Sequence, residues 1–277
     1  MIFPYDKEYP SPSSVSHVLV YGDHAFLPDL VLNYRKAVVW TDTPLVDCNF
    51  PHGDNVVFVP ASDFVKGVLE NCEVKNVTDV IHKPLTLKPV EMEKEYDMVA
   101  VLTQPQRKGH ESLSRVLRKL DDELDREVTL RLRVHPAIRL FFTGYKKVKV
   151  VDIPDTPAYM DFAKEVGKSR VMLFPSYVEG IGMPPIEATV LNQQVVMGNI
   201  DATREFVDVK SAGVTDVKLV RLEGTSHWLL YQLYEEEEYL DLLLKALEDE
   251  RCCVPRLKAE DMKDAEGQWK KVLELFD

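Results

Sequence analysis

Residues 171–199 read VMLFPSYVEGIGMPPIEATVLNQQVVMGN, and their pattern carries the fold. An apolar run ends at Pro175, a glycine-containing loop follows, a helix begins at the Pro184–Pro185 pair, and a second apolar run closes the unit. Proline suits the first helical position, where its missing N–H costs nothing. This is a β-loop-α-β unit of a parallel sheet. Gly180 and Gly182 let the backbone take positive φ or lie close to a ligand. The amides of Gly182 and Met183 then point outward at a helix N-terminus, which carries about half a positive charge and suits anions. Glu179 at the loop mouth and Glu187 in the first helical turn stand eight apart and are placed to face one cleft. In an open parallel sheet, the crevice beyond the strand ends is where ligands bind.

Working outward, short apolar runs alternate with amphipathic stretches, which predicts an α/β fold with parallel sheets flanked by helices. Strands are expected at 17–21, 37–41, 56–60 and 79–82, with a helix at 64–70. Residues 83–95, with two prolines and many charges, read as a linker. Beyond it, strands are expected at 97–102, 128–134, 148–153, 171–174, 195–197 and 217–222. Helices are expected at 111–124, 158–167, 185–191, 229–249 and 259–276. The first of these sets Leu113, Val116, Leu117, Leu120 and Leu124 on one face. The acidic run 235–238 reads as a solvated helix face.

The string P-S-x-x-E-G-x-G-x-P-x-x-E at 175–187 resembles the donor-domain signature of the retaining GT-B glycosyltransferases of family 4. The resemblance implies two Rossmann-like domains and transfer of a sugar from a nucleoside diphosphate sugar with retention, without bound metal or cofactor. It places Glu179 and the amides of Gly180, Ile181, Gly182 and Met183 against the donor, and Glu187 on the nucleotide ribose. Residues 96–120, YDMVAVLTQPQRKGHESLSRVLRKL, resemble the family's second signature, with Lys108 matching the lysine that grips the diphosphate. A fixed cation there lowers the barrier as charge builds on the leaving phosphate. Many relatives carry an arginine just before this lysine. Here Leu102, Thr103 and Gln104 occupy that region, and Arg107 is the candidate substitute. Residues 17–42 resemble the segment where the family's active-site histidine ends a strand, and His24 is the match; a plain surface histidine fits the sequence equally well.

The resemblance divides the chain into a shortened acceptor-side domain at 1–85, a nucleotide-sugar-binding domain at 86–255, and a C-terminal helix at 256–277. That helix, with Trp269, Val272, Leu273 and Phe276, either crosses back to the first domain or packs on its own. The family's opening βαβ units have no counterpart, so the first domain is expected to need support from the second domain, the last helix or an oligomer. The acceptor, whether glycan, lipid or protein, is not specified. A partner-dependent or non-catalytic relative of these enzymes is the second reading.

A formal net charge of −12 disfavours a general nucleic-acid role, because an acidic chain releases no counterions from phosphates. No Asp-x-Asp string, metal-ligand spacing or GxGxxG is present. Of the four cysteines, Cys252 and Cys253 are adjacent and no CxxC occurs, from which a reducing, cytoplasmic setting is expected. No apolar stretch reaches the roughly 18–20 residues that span a bilayer, though peripheral membrane contact stays open.

Overall fold

The structure is a computed structural model that describes residues 2–3, 9–22, 24, 27–104, 106–156 and 158–276. Two parallel sheets organise it. The first has the order β1-β2-β3-β4, from β1 (Ile2–Phe3), β2 (His17–Gly22), β3 (Lys36–Thr41) and β4 (Val56–Pro60). The second has the order β7-β6-β5-β8-β9, from β5 (Tyr96–Leu102), β6 (Val128–Val134), β7 (Val148–Asp152), β8 (Ser169–Phe174) and β9 (Gln194–Met197). Every pairing in both sheets is parallel. The second sheet winds outward from β5 in one direction and then, from β8, in the other. Its strand order therefore reverses between β5 and β8, and a ligand crevice opens at such a switch point.

Seven helices accompany the sheets among the described residues: α1 (Asp63–Asn71), α2 (His110–Glu123), α3 (Tyr159–Gly167), α4 (Met183–Val190), α5 (Asp201–Arg204), α6 (Glu236–Glu248) and α7 (Ala265–Leu273). Side chains alternate across each strand, so the first sheet feeds two cores. Val18, Val20, Val39 and Phe58 pack with Val65 and Leu69 of α1. On the opposite face Leu19, Val38, Trp40 and Val59 belong to a cluster that also holds Val99, Met172, Phe174 and Val195 of the second sheet. One continuous core therefore spans both sheets. Trp269 of α7 joins it, stacked on Tyr21 at 5.5 Å and edge-on to Trp40 at 5.0 Å. On the far face of the second sheet, Leu113, Leu117 and Leu120 of α2 meet Tyr239, Leu240 and Leu243 of α6.

Several local expectations fail for identifiable reasons. Residues 79–82 form no strand: Val77 makes an isolated bridge with Phe58, and after Ile81 N–H donates to the Pro60 carbonyl the chain leaves the sheet edge. The helix expected at 229–249 begins only at Glu236, because Trp228–Tyr234 is a strand, β12, paired antiparallel with β11 (Val214–Arg221). Leu229 and Tyr231 are buried there at alternate positions and Tyr234 out of that phase, a weak strand signal that the long leucine- and glutamate-rich run disguises. The helix expected at 259–276 is shorter: Asp264 caps α7 by accepting from Gly267 N–H at 2.9 Å, with 3₁₀ turns on either side. β10 (Val207–Asp208) and β13 (Arg256–Leu257) form a small antiparallel pair.

The acidic run at 235–238 is not simply solvated, since Glu236 pairs with Arg115 and Glu237 with Lys119 of α2, while Glu238 accepts from Gly213 N–H at 2.7 Å. Cys48 and Cys72 form a disulfide, which removes the ground for reading a reducing compartment from cysteine usage. No helix of the described residues is long and apolar enough to cross a membrane.

Candidate functional site

The switch point between β5 and β8 brings together the loops that follow these strands. Tyr177 N–H donates to the Arg107 carbonyl at 2.9 Å and Gln232 N–H to the Tyr177 carbonyl at 2.7 Å, so both loops and the hairpin are laced into one unit. Above them lies a cavity of about 490 Å³, walled on one side by Arg107, Lys108 and residues 179–184, on the other by Tyr21, Asp42 and Lys83. The floor is an ion pair. Lys108 Nζ stands 2.5 Å from Glu179 Oε1, with Glu179 only 6% exposed, and Arg107 Nη1 is 3.7 Å from Oε2.

Burial pushes the Glu179 carboxyl up, but the Lys108 ammonium and the Arg107 guanidinium overcome it and hold the group below the ordinary carboxylate range. Burial lowers the Lys108 ammonium, and Glu179 opposes that shift only in part. A closely spaced, dry ion pair of this kind is costly to desolvate and is held by geometry. An incoming anion can draw on Lys108 and Arg107 while Glu179 accepts from hydroxyl groups.

Ile181, Gly182 and Met183 also line the cavity, where α4 begins. Their amides donate to no other group among the described residues, and Gly182 sits at φ 83°, a value that favours glycine. Of the two uses expected of these glycines, Gly182 takes the positive φ, and the room left at both by the missing side chain is filled by the protein itself. A Cβ on Gly180 would lie 1.7 Å from the Asp42 carbonyl oxygen, and one on Gly182 would lie 2.2 Å from Thr203 Oγ1. Ser62 Oγ donates to the Gly180 carbonyl at 2.6 Å and also caps α1. The loop before α4 is thus docked on the strand ends of the first sheet.

Two residues singled out in the sequence lie outside this wall. With α4 starting at Met183, Glu187 falls in the second turn, and its carboxylate accepts from the Tyr159 hydroxyl. Burial raises the Glu187 carboxyl above its usual range. His24 is fully buried in the first core, tilted against Phe50 at 4.4 Å and hydrogen-bonded through Nδ1 to Thr41 Oγ1 at 2.8 Å. Burial lowers its pKa to about 3, so the ring is neutral. Its Nε2 meets no partner among the described residues.

Lys83 is the main residue that pattern reading overlooked. It was assigned to a linker, yet it is 4% exposed, pairs with Asp42 at 3.0 Å and lies 4.1 Å over the Tyr21 ring. The apolar neighbours in Ile81-His82-Lys83-Pro84-Leu85 were the signal, because a solvated linker has no need of them. Among the described residues, no group of three His, Cys, Asp or Glu side chains is arranged to hold a metal ion.

No protein-family model matches the sequence, and no curated protein sequence matches it. Solved structures do. TarM superimposes with a TM-score of 0.63 at 13% identity over 94% of this chain and 54% of its own. The pneumococcal O-GlcNAc transferase GtfA, solved with UDP and GlcNAc, gives 0.60 at 13% identity over 96% and 57%. Sucrose-phosphate synthase from Thermosynechococcus elongatus gives 0.59 at 11% identity over 94% and 72%. The fold is GT-B. In this GT-B fold, the cavity lies between the two parallel sheets at the switch point of the second. The chain spans about half the length of TarM and GtfA.

Proposed function

We propose that this chain is a retaining glycosyltransferase that moves a sugar from a nucleoside diphosphate sugar to an acceptor hydroxyl, with its own cations in place of a metal. The observation that carries the reading is the Lys108–Glu179 pair beside the amides at the start of α4, which have no partner among the described residues, inside one cavity between the sheets. In this reading the diphosphate lies against those amides and Lys108, and Glu179 accepts from hydroxyls of the transferred sugar. The bond from the anomeric carbon to the diphosphate breaks as the bond to the acceptor oxygen forms on the same face. The acceptor proton passes to a leaving phosphate oxygen, so no protein nucleophile is required. Lys108 and the helix terminus stabilise the charge that builds on the leaving group. Glu187 takes the ribose once the Tyr159 hydroxyl yields to it. We assign the donor to residues 86–255, the acceptor side to 1–85, and the closing helix to 256–277.

A second reading, a partner-dependent or non-catalytic relative, draws on two facts. Arg107 is engaged by Gln104 and Glu179 and so is not a free substitute for the missing arginine. One structural neighbour is a GtfA/B complex, matched over 54% of its chain. Urea titrations with UDP-, GDP- and ADP-sugars, paired with mass spectrometry of transfer products, separate the readings. A donor at 100 times its Kd adds about 2.7 kcal/mol. Stabilisation with turnover supports the enzyme, and stabilisation without turnover supports the second reading. If no nucleotide sugar stabilises the wild-type chain, both fail.

A further inference from the structure

A second cavity, of about 520 Å³, lies beneath the turn of the β11–β12 hairpin. Its volume falls in the range of small-molecule sites, roughly 300–1,000 Å³. Pro44, Leu45, Leu222 and Leu229 provide apolar walls, and Pro44, Gln104 and Arg107 line both this cavity and the first. We propose that this is the acceptor seat, formed where Pro44 and Leu45 of residues 1–85 meet the hairpin of residues 86–255, and that the acceptor is a small apolar alcohol or phenol, not a glycan chain. The inference rests on the transferase reading above.

Two of the polar side chains that line this cavity, Gln106 and Glu223, are bonded to each other. Gln106 Nε2 donates to the Glu223 carboxylate at 2.8 Å, and Glu223 N–H donates back to Gln106 Oε1 at 3.2 Å. The Gln106 carbonyl accepts from the Tyr231 hydroxyl, and Gln104 Oε1 accepts from Arg107 Nε. A glycan presents several hydroxyls, each needing a partner when buried, and it commonly rests on an aromatic face. Among the described residues, no aromatic side chain lines this cavity. An apolar occupant covers Leu45, Leu222 and Leu229 and leaves the Gln106–Glu223 pair intact, whereas a polar group left unmet by breaking that pair costs about 1–3 kcal/mol.

Position supports the same occupant. Because Gln104 and Arg107 line both cavities, the hairpin cavity adjoins the one that holds the start of α4 and the Lys108–Glu179 pair. Transfer then requires that, with the diphosphate at α4, the anomeric carbon lies on the Arg107 side, where a hydroxyl reaching past Arg107 meets it. The hydroxyl oxygen then bonds that carbon, the carbon–diphosphate bond breaks, and the proton leaves with the diphosphate.

The wall is braced independently of any ligand. Leu45 bridges Leu229, Val46 N–H donates to the Trp228 carbonyl at 3.0 Å, and Asp47 binds both His227 Nδ1 and Trp228 N–H. The seat is therefore preformed.

The test uses the full chain, with 4-methylumbelliferone as the apolar phenol, maltotriose as the glycan, and UDP, GDP and ADP as donor products. Leu222→Trp, at a partly exposed wall position, fills the cavity, and a melting curve confirms that the variant folds. Should it not fold, Leu222→Gln takes its place. The expected result is saturable binding of the phenol to wild type, a tenfold or greater loss in the variant, and nucleotide affinity unchanged within twofold. Three results overturn the proposal: maltotriose binds and the phenol does not; nucleotide affinity falls in parallel with the substitution, which gives the cavity to the base; or neither acceptor probe binds while a nucleotide does. Phenol binding without any nucleotide binding refutes the donor reading, and the acceptor assignment falls with it.

Discussion

Replacing Lys108 with methionine removes one half of the buried pair and leaves Glu179 in a site where it is 6% exposed. Breaking such a pair from one side costs about 3–5 kcal/mol, because the remaining charge keeps its desolvation penalty. Arg107 at 3.7 Å retains part of the compensation, which puts the expected loss near 3 kcal/mol. At about 2–4 °C per kcal/mol for a chain of this size class, the melting temperature falls by about 6–12 °C. The double variant Lys108→Met/Glu179→Gln removes both charges while keeping similar volumes, so much of the loss is expected to return. A urea-denaturation cycle over wild type, both single variants and the double variant reads the coupling directly, with an expected value of about 2 kcal/mol. The same proteins are titrated with the stabilising nucleotide sugar. The restored double variant should gain none of the ligand stabilisation seen in wild type, which separates folding from binding. Single-variant losses that add to the double-variant loss within about 0.5 kcal/mol would refute the reasoning.

Three further outcomes follow from the geometry. His24 has its folded pKa lowered to about 3 against about 6.5 unfolded, so its contribution is complete above pH 6.5 and is lost as pH falls toward 3. In denaturation curves at pH 6.5, 5.5 and 4.5, wild type should lose about 1.4 kcal/mol per pH unit more than His24→Phe, and parallel curves would contradict a neutral buried ring. Gly180→Ala places a methyl group 1.7 Å from the Asp42 carbonyl oxygen, so a loss of about 1–3 kcal/mol and of donor-induced stabilisation is expected; an unperturbed melt would mean the loop is not docked there. Cys48→Ser opens a loop closed over 24 residues, for which chain entropy gives a loss of about 3 kcal/mol by urea denaturation without reductant. The same loss should appear when wild type is reduced, and a variant indistinguishable from oxidised wild type would count against the bond.

Much of the architecture follows from local pattern alone. Val56–Pro60 and Val128–Val134 are strands within the bounds their apolar runs suggest, and 171–199 is the β-loop-α-β unit that its prolines and glycines mark. Such elements are legible because side-chain period and turn chemistry act within a few residues of one another. Lys108 and Glu179 were legible for the same reason, each lying just past an apolar strand. The misreadings share a cause as well. The strand at Trp228–Tyr234 depends on β11, and its sequence also fits a helix, so pairing decides it.

Contacts distant along the chain were set by packing. Lys83 becomes a cavity wall because the 3₁₀ turn Glu260–Lys263 and the first sheet hold the segment around it, with Leu85 N–H donating to the Met262 carbonyl at 2.8 Å. Gly180 is reserved for Asp42, Glu187 is covered by Tyr159, and His24 is enclosed by Phe50 and Phe58. The sequence by itself determined the parallel strands, the loop beside α4 and the chemical types available there, since those depend on neighbours along the chain. The tertiary structure decided which of those groups share a cavity, because that depends on how two sheets dock through one core, and docking joins residues more than a hundred positions apart.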